Sequence, residues 1–195
     1  MSDTTRDQLI AAAADLLDAG GQSGVTIRAV AERCGVSHNA PYKHFRGRKE
    51  LLAVVAQRDF DQLRGWFEAA SLGDSADAKK SLTGALERLV EYARAHEARY
   101  RLLFSDEDLS PDQALVNAAF ASFQAFRLLV SRYQLHVGHI GMDDVELAGL
   151  IYATSHGAID LHLSGRATGT KGLVSVENTI RVLLDVLERP SREER

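Results

Sequence analysis

The sequence predicts an all-α fold of about nine helices, on three observations. Apolar residues recur at i, i+3 and i+4 along almost the whole chain. Only three prolines occur in 195 residues. Short Gly-, Ser- and Asp-rich stretches separate the periodic segments. Hydrophobic residues make up 45% and charged residues 26%, enough apolar material for a sizeable core and too much for a chain that is mainly disordered.

Each element has its own signal. Leu9, Ala13, Leu16 and Leu17 form one stripe over residues 5–19, and Gly20, Gly21, Ser23 and Gly24 break it. Thr26 is a suitable N-cap for a short helix over 27–34, which Gly35 ends in the left-handed conformation. Ser37 is the expected cap of a third helix, 38–44, and Phe45-Arg46-Gly47 ends it. A fourth helix, 48–70, carries Leu51, Leu52, Val55 and Leu63 toward Trp66 and Phe67. The polar stretch SLGDSAD, 71–77, marks a domain boundary that the fourth helix bridges. Leu82, Leu86, Leu89 and Ala93 define a helix over 78–95, and a short one follows over 96–104. The loop SDEDLSPDQ, 105–113, holds four carboxylates. Long helices are expected over 112–135 and 143–163, with Asp143 and Asp144 favourable at the positive end of the second. The loop SGRATGTKG leads to a last helix, 176–187, with Val176, Ile180, Leu183, Leu184 and Leu187 on one stripe. The charged tail from Pro190 is expected to fray.

No apolar run is read as approaching the ~18–20 residues of a membrane span, and no signal-peptide core is read at the N-terminus. No membrane partner is therefore expected. The single cysteine, Cys34, leaves no intrachain disulfide and fits a reducing, cytoplasmic compartment. The net charge of −4 would by itself argue against a nucleic-acid partner. Its distribution argues the other way. Residues 28–49 hold six cations (Arg28, Arg33, Lys43, Arg46, Arg48, Lys49) against one anion, Glu32, which makes this segment +5 and the remainder −9. A basic patch on an acidic body suits a phosphate-binding module, although a solvated charged face would look the same.

The motif decides between the two. Residues 26–52, TIRAVAERCGVSHNAPYKHFRGRKELL, have the logic of a helix-turn-helix. Two short helices that cross steeply need a small residue at the contact and a glycine in the turn, and Ala31 and Gly35 supply them. Val30, Cys34 and Val36 form the shared core. Ser37, His38 and Asn39 then lie at the free N-terminal end of the third helix, which enters a major groove. Asn39 can bond adenine bidentately and His38 can donate to guanine. Tyr42, Lys43 and His44 can reach phosphates. Thr26 and Arg28 face the other strand's backbone, and Lys49 sits at the positive end of the fourth helix.

This stretch, with the Thr-initiated second helix, the A-E-R-C-G-V-S turn, the Tyr42…His44-Phe45 ending and the R-K-E-L-L start of the fourth helix, resembles the DNA-binding domain of TetR-type (tetracycline-repressor family) transcriptional regulators. The match covers residues 5–52. Pro41 departs from it, since the family more often has leucine there; its place in the first turn predicts a slightly altered geometry and an intact helix. The segment SHGAIDLHLSGR, 155–166, resembles the His-Gly-containing subgroup of C-terminal domains in that family. The resemblance implies a helix-turn-helix domain at 5–52 and a helical ligand-sensing and dimerisation domain at 75–190. It also implies a homodimer on a near-palindromic DNA operator, and repression relieved by an unidentified small molecule. The alternative is a dimeric DNA-binding protein without an effector.

The remaining candidates follow from residue type. Trp66, Tyr92, Tyr100, Phe104, Phe120, Phe123, Phe126, Tyr133 and His156 could line an effector pocket or be plain core. The stripes Leu147-Leu150-Ile151-Ile159 and Ile180-Leu183-Leu184-Leu187 would build a four-helix bundle with a twofold mate. Cys34 reads as a small packed residue rather than a redox switch. His156 and Asp160, with His136 and His139 upstream, are too loosely spaced for a metal set, so no metal or cofactor is expected. No nucleophile elbow or phosphate loop is present, and Ser155 and His156 point about 100° apart on a helix, so no enzymatic activity is expected.

Overall fold

The computed structural model describes residues 4–73, 77–104, 112–138 and 140–189. The expectations for residues 105–111 of the acidic loop, for 74–76 of the polar connection, for His139 and for the tail from Pro190 lie outside the described residues.

Eight α-helices and two short 3₁₀ turns make up the regular structure among the described residues. Helix α1, Thr5–Gly24, starts with a reciprocal cap: Thr4 Oγ1 accepts from the Asp7 amide (3.2 Å) and the Asp7 carboxylate accepts from the Thr4 amide (3.3 Å). The glycine break appears as a kink inside the element, at Gly21 with φ 65°, and one further turn follows it. Helix α2, Ile27–Arg33, is capped as expected, with the Ala29 amide donating to Thr26 Oγ1 at 3.0 Å. Then come α3 (Arg48–Ser71), α4 (Ala78–Ala95), α5 (Glu97–Phe104), α6 (Gln113–Val137), α7 (Asp144–Leu163, capped by Asp143) and α8 (Val176–Leu187, capped by Ser175). The bounds of α2 to α8 agree with the sequence to within two residues, whereas α1 runs five residues past its expected end.

Packing divides the chain into two units, Met1–Gln62 with Ala95–Ala121, and Leu63–Arg94 with Ser122–Arg195. The division passes through α3 and α6 rather than through the polar stretch at 71–77, and it groups α5 with the N-terminal helices. In the first unit Leu9, Leu17, Val30, Phe45 and Leu52 are buried. So is one carboxylate, Asp59 of α3, which Arg99 of α5 grips through both fork nitrogens. Asp18 of α1 stands beside that pair, 3.5 Å from Arg99 Nη1 and 2.7 Å from His96 Nδ1.

In the second unit α7 and α8 pack on each other, and this redistributes the expected dimer stripe. Leu147, Ile151, Ile180 and Leu184 are buried inside the chain itself. Helical periodicity marks a face that must be covered, and here the chain covers it. Leu150 remains exposed and Leu183 and Leu187 half-buried. Exposed Val182 and Val186 join them on α8.

Helix α6 corrects the reading of apolar runs. Its 25 residues, with a window of mean hydropathy 1.3, are long and apolar enough by length and composition to cross a membrane. Leu115, Ala118, Ala125, Phe126, Leu129, Val130 and Tyr133 are buried within the protein, whereas Val116, Phe120, Leu128 and Leu135 are exposed, and 39% of the apolar window is buried.

Candidate nucleic-acid interface

All nine side chains expected to meet DNA lie on the surface: Thr26, Arg28, Ser37, His38, Asn39, Tyr42, Lys43, His44 and Lys49. The turn beneath them is built as its residues require. Gly35 takes φ +65°. The Val36 amide donates to Ala31 O at 3.0 Å, and Val30 and Ala31 are fully buried. Cys34 packs half-buried with Sγ donating to Gln8 O (3.4 Å), and burial raises its thiol pKa, so it rests protonated.

The third helix does not form. Residues 37–44 make a tight turn and then a 3₁₀ turn, Pro41–Lys43. The reason is positional. With Ser37 as cap, residue 41 is the first whose amide must donate to the cap's carbonyl to start the helical ladder. Pro41 has no amide hydrogen, and its ring crowds that carbonyl. The chain settles for three i→i−3 bonds, Ala40 N–H to Ser37 O (2.9 Å), Lys43 N–H to Ala40 O (3.2 Å) and His44 N–H to Pro41 O (2.9 Å), and one helical i→i−4 bond, Phe45 N–H to Pro41 O (2.9 Å). The missing hydrogen at position 41 therefore costs the helix, not merely its geometry. Buried Pro41 and Phe45 anchor the segment, leaving the side chains at 37–39 and 42–44 outward.

The charges of the patch are partly committed. Arg28 Nε pairs with Glu32 (2.8 Å) and Arg33 with Asp15 (3.1 Å). Arg48 donates to Val25 O (2.8 Å) and Gln22 O (2.7 Å), tying the start of α3 to the end of α1. Glu50 accepts from the Arg46 amide at 2.6 Å and so already serves the positive end of α3, where Lys49 was expected to bring a phosphate. Arg46, absent from the sequence-based candidates, is exposed on a groove of about 750 Å3 with Gly47, Arg48, Lys49, Glu50 and Asp112. Its charge was visible in the sequence, but its place in the groove was not.

Ring contacts group the aromatic candidates within each unit. In the first unit Tyr100 and Phe104 pack with each other and with Phe60, at centroid distances of 4.9 and 5.6 Å. In the second, Trp66 meets buried Tyr92 edge-on at 5.8 Å, with the Arg88 guanidinium over its face at 4.3 Å. Tyr133 is fully buried and its hydroxyl donates to Glu188 Oε1 (3.2 Å). Phe120 stands 62% exposed. Phe123 and His156 share a cluster with Phe126 and with Tyr152, which the sequence reading missed. Tyr152 lies 5.4 Å from Phe123, 6.0 Å from Phe126 and 4.1 Å from the His156 ring. The signal for Tyr152 was its i, i+4 spacing to His156 on one helix face. Asp160 points elsewhere, to Arg166 at 3.2 Å.

Burial pushes the His156 imidazole down to about 4 and the Tyr152 phenol up to about 12. An unfolded histidine takes its proton near 6.5, whereas folded His156 stays neutral to about 4. Between those values the unfolded state holds more protons, so stability falls as pH falls, by at most about 1.4 kcal/mol per pH unit from this residue. Urea midpoints measured from pH 7 to pH 4 should drop less steeply in His156→Phe than in the wild-type chain; parallel slopes would contradict a neutral, buried imidazole. Glu177, held at about 2 chiefly by its bonds from Arg94, loses its contribution only at lower pH.

Comparisons with known proteins agree with this geometry. Residues 9–55 match the family described as bacterial regulatory proteins, tetR family, and residues 82–187 match the tetracyclin repressor-like C-terminal domain. The HTH-type transcriptional activator FasR of Mycolicibacterium smegmatis is 28% identical over 120 residues, 62% of this chain and 54% of that protein. The tetracycline repressor protein class A of Escherichia coli is 47% identical over 49 residues, 25% of this chain and 23% of the relative. The chain thus spans about half or less of the curated relatives it matches. A solved structure of a protein of unknown function from Rhodococcus sp. RHA1 superposes with a TM-score of 0.80 at 27% identity, covering 96% of this chain and 95% of that one. The C-terminal match speaks for a repressor-like helical domain; the His-Gly character of 155–166 stays a resemblance.

Proposed function

Since the chain belongs to the tetR family of bacterial regulatory proteins, with its C-terminal model alone matching more than half of the residues, we propose that it is a ligand-responsive, sequence-specific DNA-binding transcriptional regulator. It acts as a repressor on a near-palindromic operator, and a small molecule releases it. The observation that carries this reading is the coincidence of a matched DNA-binding motif with nine outward base- and phosphate-reading side chains on a positively charged segment. Residues 5–52 serve as the DNA-binding domain and 75–190 as the sensing and dimerisation domain. Exposed Leu150, Val182 and Val186, with half-buried Leu183 and Leu187, support an isologous contact with a second copy across α7 and α8. Two reading segments are then set about one DNA turn, ~34–36 Å, apart. The cluster of Phe123, Phe126, Tyr152 and His156 supports a largely apolar effector. Ligand binding releases DNA because the ligand favours a conformation that holds the two segments at another spacing.

Selection from a randomised duplex pool at fixed salt tests the reading. Recovery of an inverted repeat supports it, and binding without any motif would overturn it. With the operator in hand, Lys49→Ala and Tyr42→Phe are expected to weaken binding to specific and random duplexes alike. Asn39→Ala should cost roughly 1–3 kcal/mol at its own base and relax selection there. Equal losses on operator and random DNA for Asn39→Ala would remove it from base reading. A reporter under that operator gives the sign of regulation: expression should rise when the protein is deleted.

A further inference from the structure

We propose that a small cavity at the C-terminal end of α7 is a binding site for a compact, uncharged, mostly apolar molecule carrying one hydrogen-bond donor, such as a phenol. The inference concerns this site alone and does not depend on the DNA-binding reading. The cavity measures about 270 Å3 and is lined by Val90 and Arg94 of α4, Ile159, His162 and Leu163 of α7, and Val176 of α8. It lies apart from the aromatic cluster of Phe123, Tyr152 and His156, with which it shares no lining residue.

Its chemistry follows from the hydrogen bonds already made. His162 Nδ1 lies 2.9 Å from Ala158 O, its own helix's carbonyl four residues back. A carbonyl oxygen only accepts, so Nδ1 carries the hydrogen. In the neutral ring Nε2 is then a bare acceptor. That atom is buried and has no hydrogen-bond partner. A buried polar atom without a partner costs free energy that a matching ligand group would recover. The charge in the wall is spoken for: the Arg94 guanidinium is clamped by Glu177, Nη1 to Oε1 at 2.5 Å and Nη2 to Oε2 at 3.2 Å. An anion entering here would find an arginine already neutralised and, at Nε2, one acceptor facing another. A cation would be buried without a counter-charge. The other four walls are aliphatic. What fits is a neutral ring or short chain with a single O–H or N–H directed at Nε2. The volume suits a single substituted ring, somewhat below the usual drug-sized pocket.

The test uses the full chain, with phenol as the probe and toluene and benzoate as controls of similar size. In protein labelled with nitrogen-15 at histidine, the His162 resonances should first show the tautomer with hydrogen on Nδ1. Phenol should then move the Nε2 resonance saturably, and toluene and benzoate should not. His162→Leu, with an unchanged far-ultraviolet spectrum, should weaken phenol binding by calorimetry roughly tenfold, the value of one satisfied buried hydrogen bond. Val176→Phe, which keeps the histidine and fills the space, should abolish it; this second variant serves if the first fails to fold. Three results would overturn the proposal: a hydrogen found on Nε2 and not Nδ1, no saturable Nε2 shift with phenol because only water occupies the cavity, or phenol affinity unchanged in both variants.

Discussion

Replacing Arg99 with alanine will lower the unfolding free energy by about 3–5 kcal/mol at neutral pH, the usual consequence of stranding a buried charge. Asp59 is 2% exposed, and its partner Arg99 only 15%. Arg99 Nε donates to Asp59 Oδ2 at 2.9 Å and Nη2 to the second oxygen. Without the guanidinium the carboxylate must stay charged in an apolar surrounding or take up a proton, and either is costly. The contrast that identifies the cause is a double substitution. Asp59→Leu with Arg99→Met removes both charges, and it should recover most of the loss. Urea unfolding followed by circular dichroism at pH 7 measures both variants. A loss below about 1 kcal/mol for Arg99→Ala would mean that the pair behaves as an exposed one. Because α1, α3 and α5 meet at this cluster through Asp18, Asp59 and Arg99, its failure would loosen the frame that carries the DNA-reading segment.

Phe45→Ala is the second large effect, about 3–5 kcal/mol for emptying a fully enclosed aromatic position. Phe45 is 2% exposed, and its amide joins that of His44 on Pro41 O, where the 3₁₀ turn closes. The Arg6 guanidinium lies 5.4 Å from its ring centre. Few other ties hold residues 37–44 in place, because the helical ladder is missing there. Operator binding should therefore fall further than the loss of global stability explains. The check is duplex affinity measured well below the variant's melting temperature, beside its urea curve. Phe45→Leu, which keeps much of the volume, should restore most of both. Normal affinity in a folded Phe45→Ala would show that the reading segment holds itself.

Local chemistry made much of this molecule legible. Helix α8 could be read to the residue, because a serine cap, a single apolar stripe and a following charged tail agree. Helix α4 was equally plain. The nine side chains expected to meet DNA were legible as surface residues because a motif places them outward whatever supports it. The missing third helix was legible in principle: counting from Ser37 puts proline at the first amide the helix needs, and only its nearness to the N-terminus disguised the cost. The aromatic set was not legible. Residue type records that Trp66, Tyr100 and Phe123 prefer burial, not which partners they find, and they divide among three clusters. The stripes of α7 and α8 carried the same ambiguity. Periodicity identified Leu147 and Ile180 as covered but could not say that the cover belongs to the same chain. The grouping of α5 with α1 and α3 had no local signal, since Arg99 meets Asp18 of α1 and Asp59 of α3, the latter forty residues away.

The internal commitments of the basic patch set how firmly salt controls this protein's grip. Each phosphate neutralised by a lysine or arginine releases condensed counterions, with a log–log slope near −0.9 per contact. If all six cations of residues 28–49 met phosphates in both halves of a dimer, the slope would approach about −11. Arg28 and Arg33 are engaged with carboxylates and Arg48 with backbone carbonyls. Lys43, Arg46 and Lys49 are exposed, and phosphates meeting these three alone in both halves of a dimer would give a slope of about −5. A fourfold rise in salt would then lower DNA affinity by about 10³, against about 10⁶–10⁷ at a slope of −11.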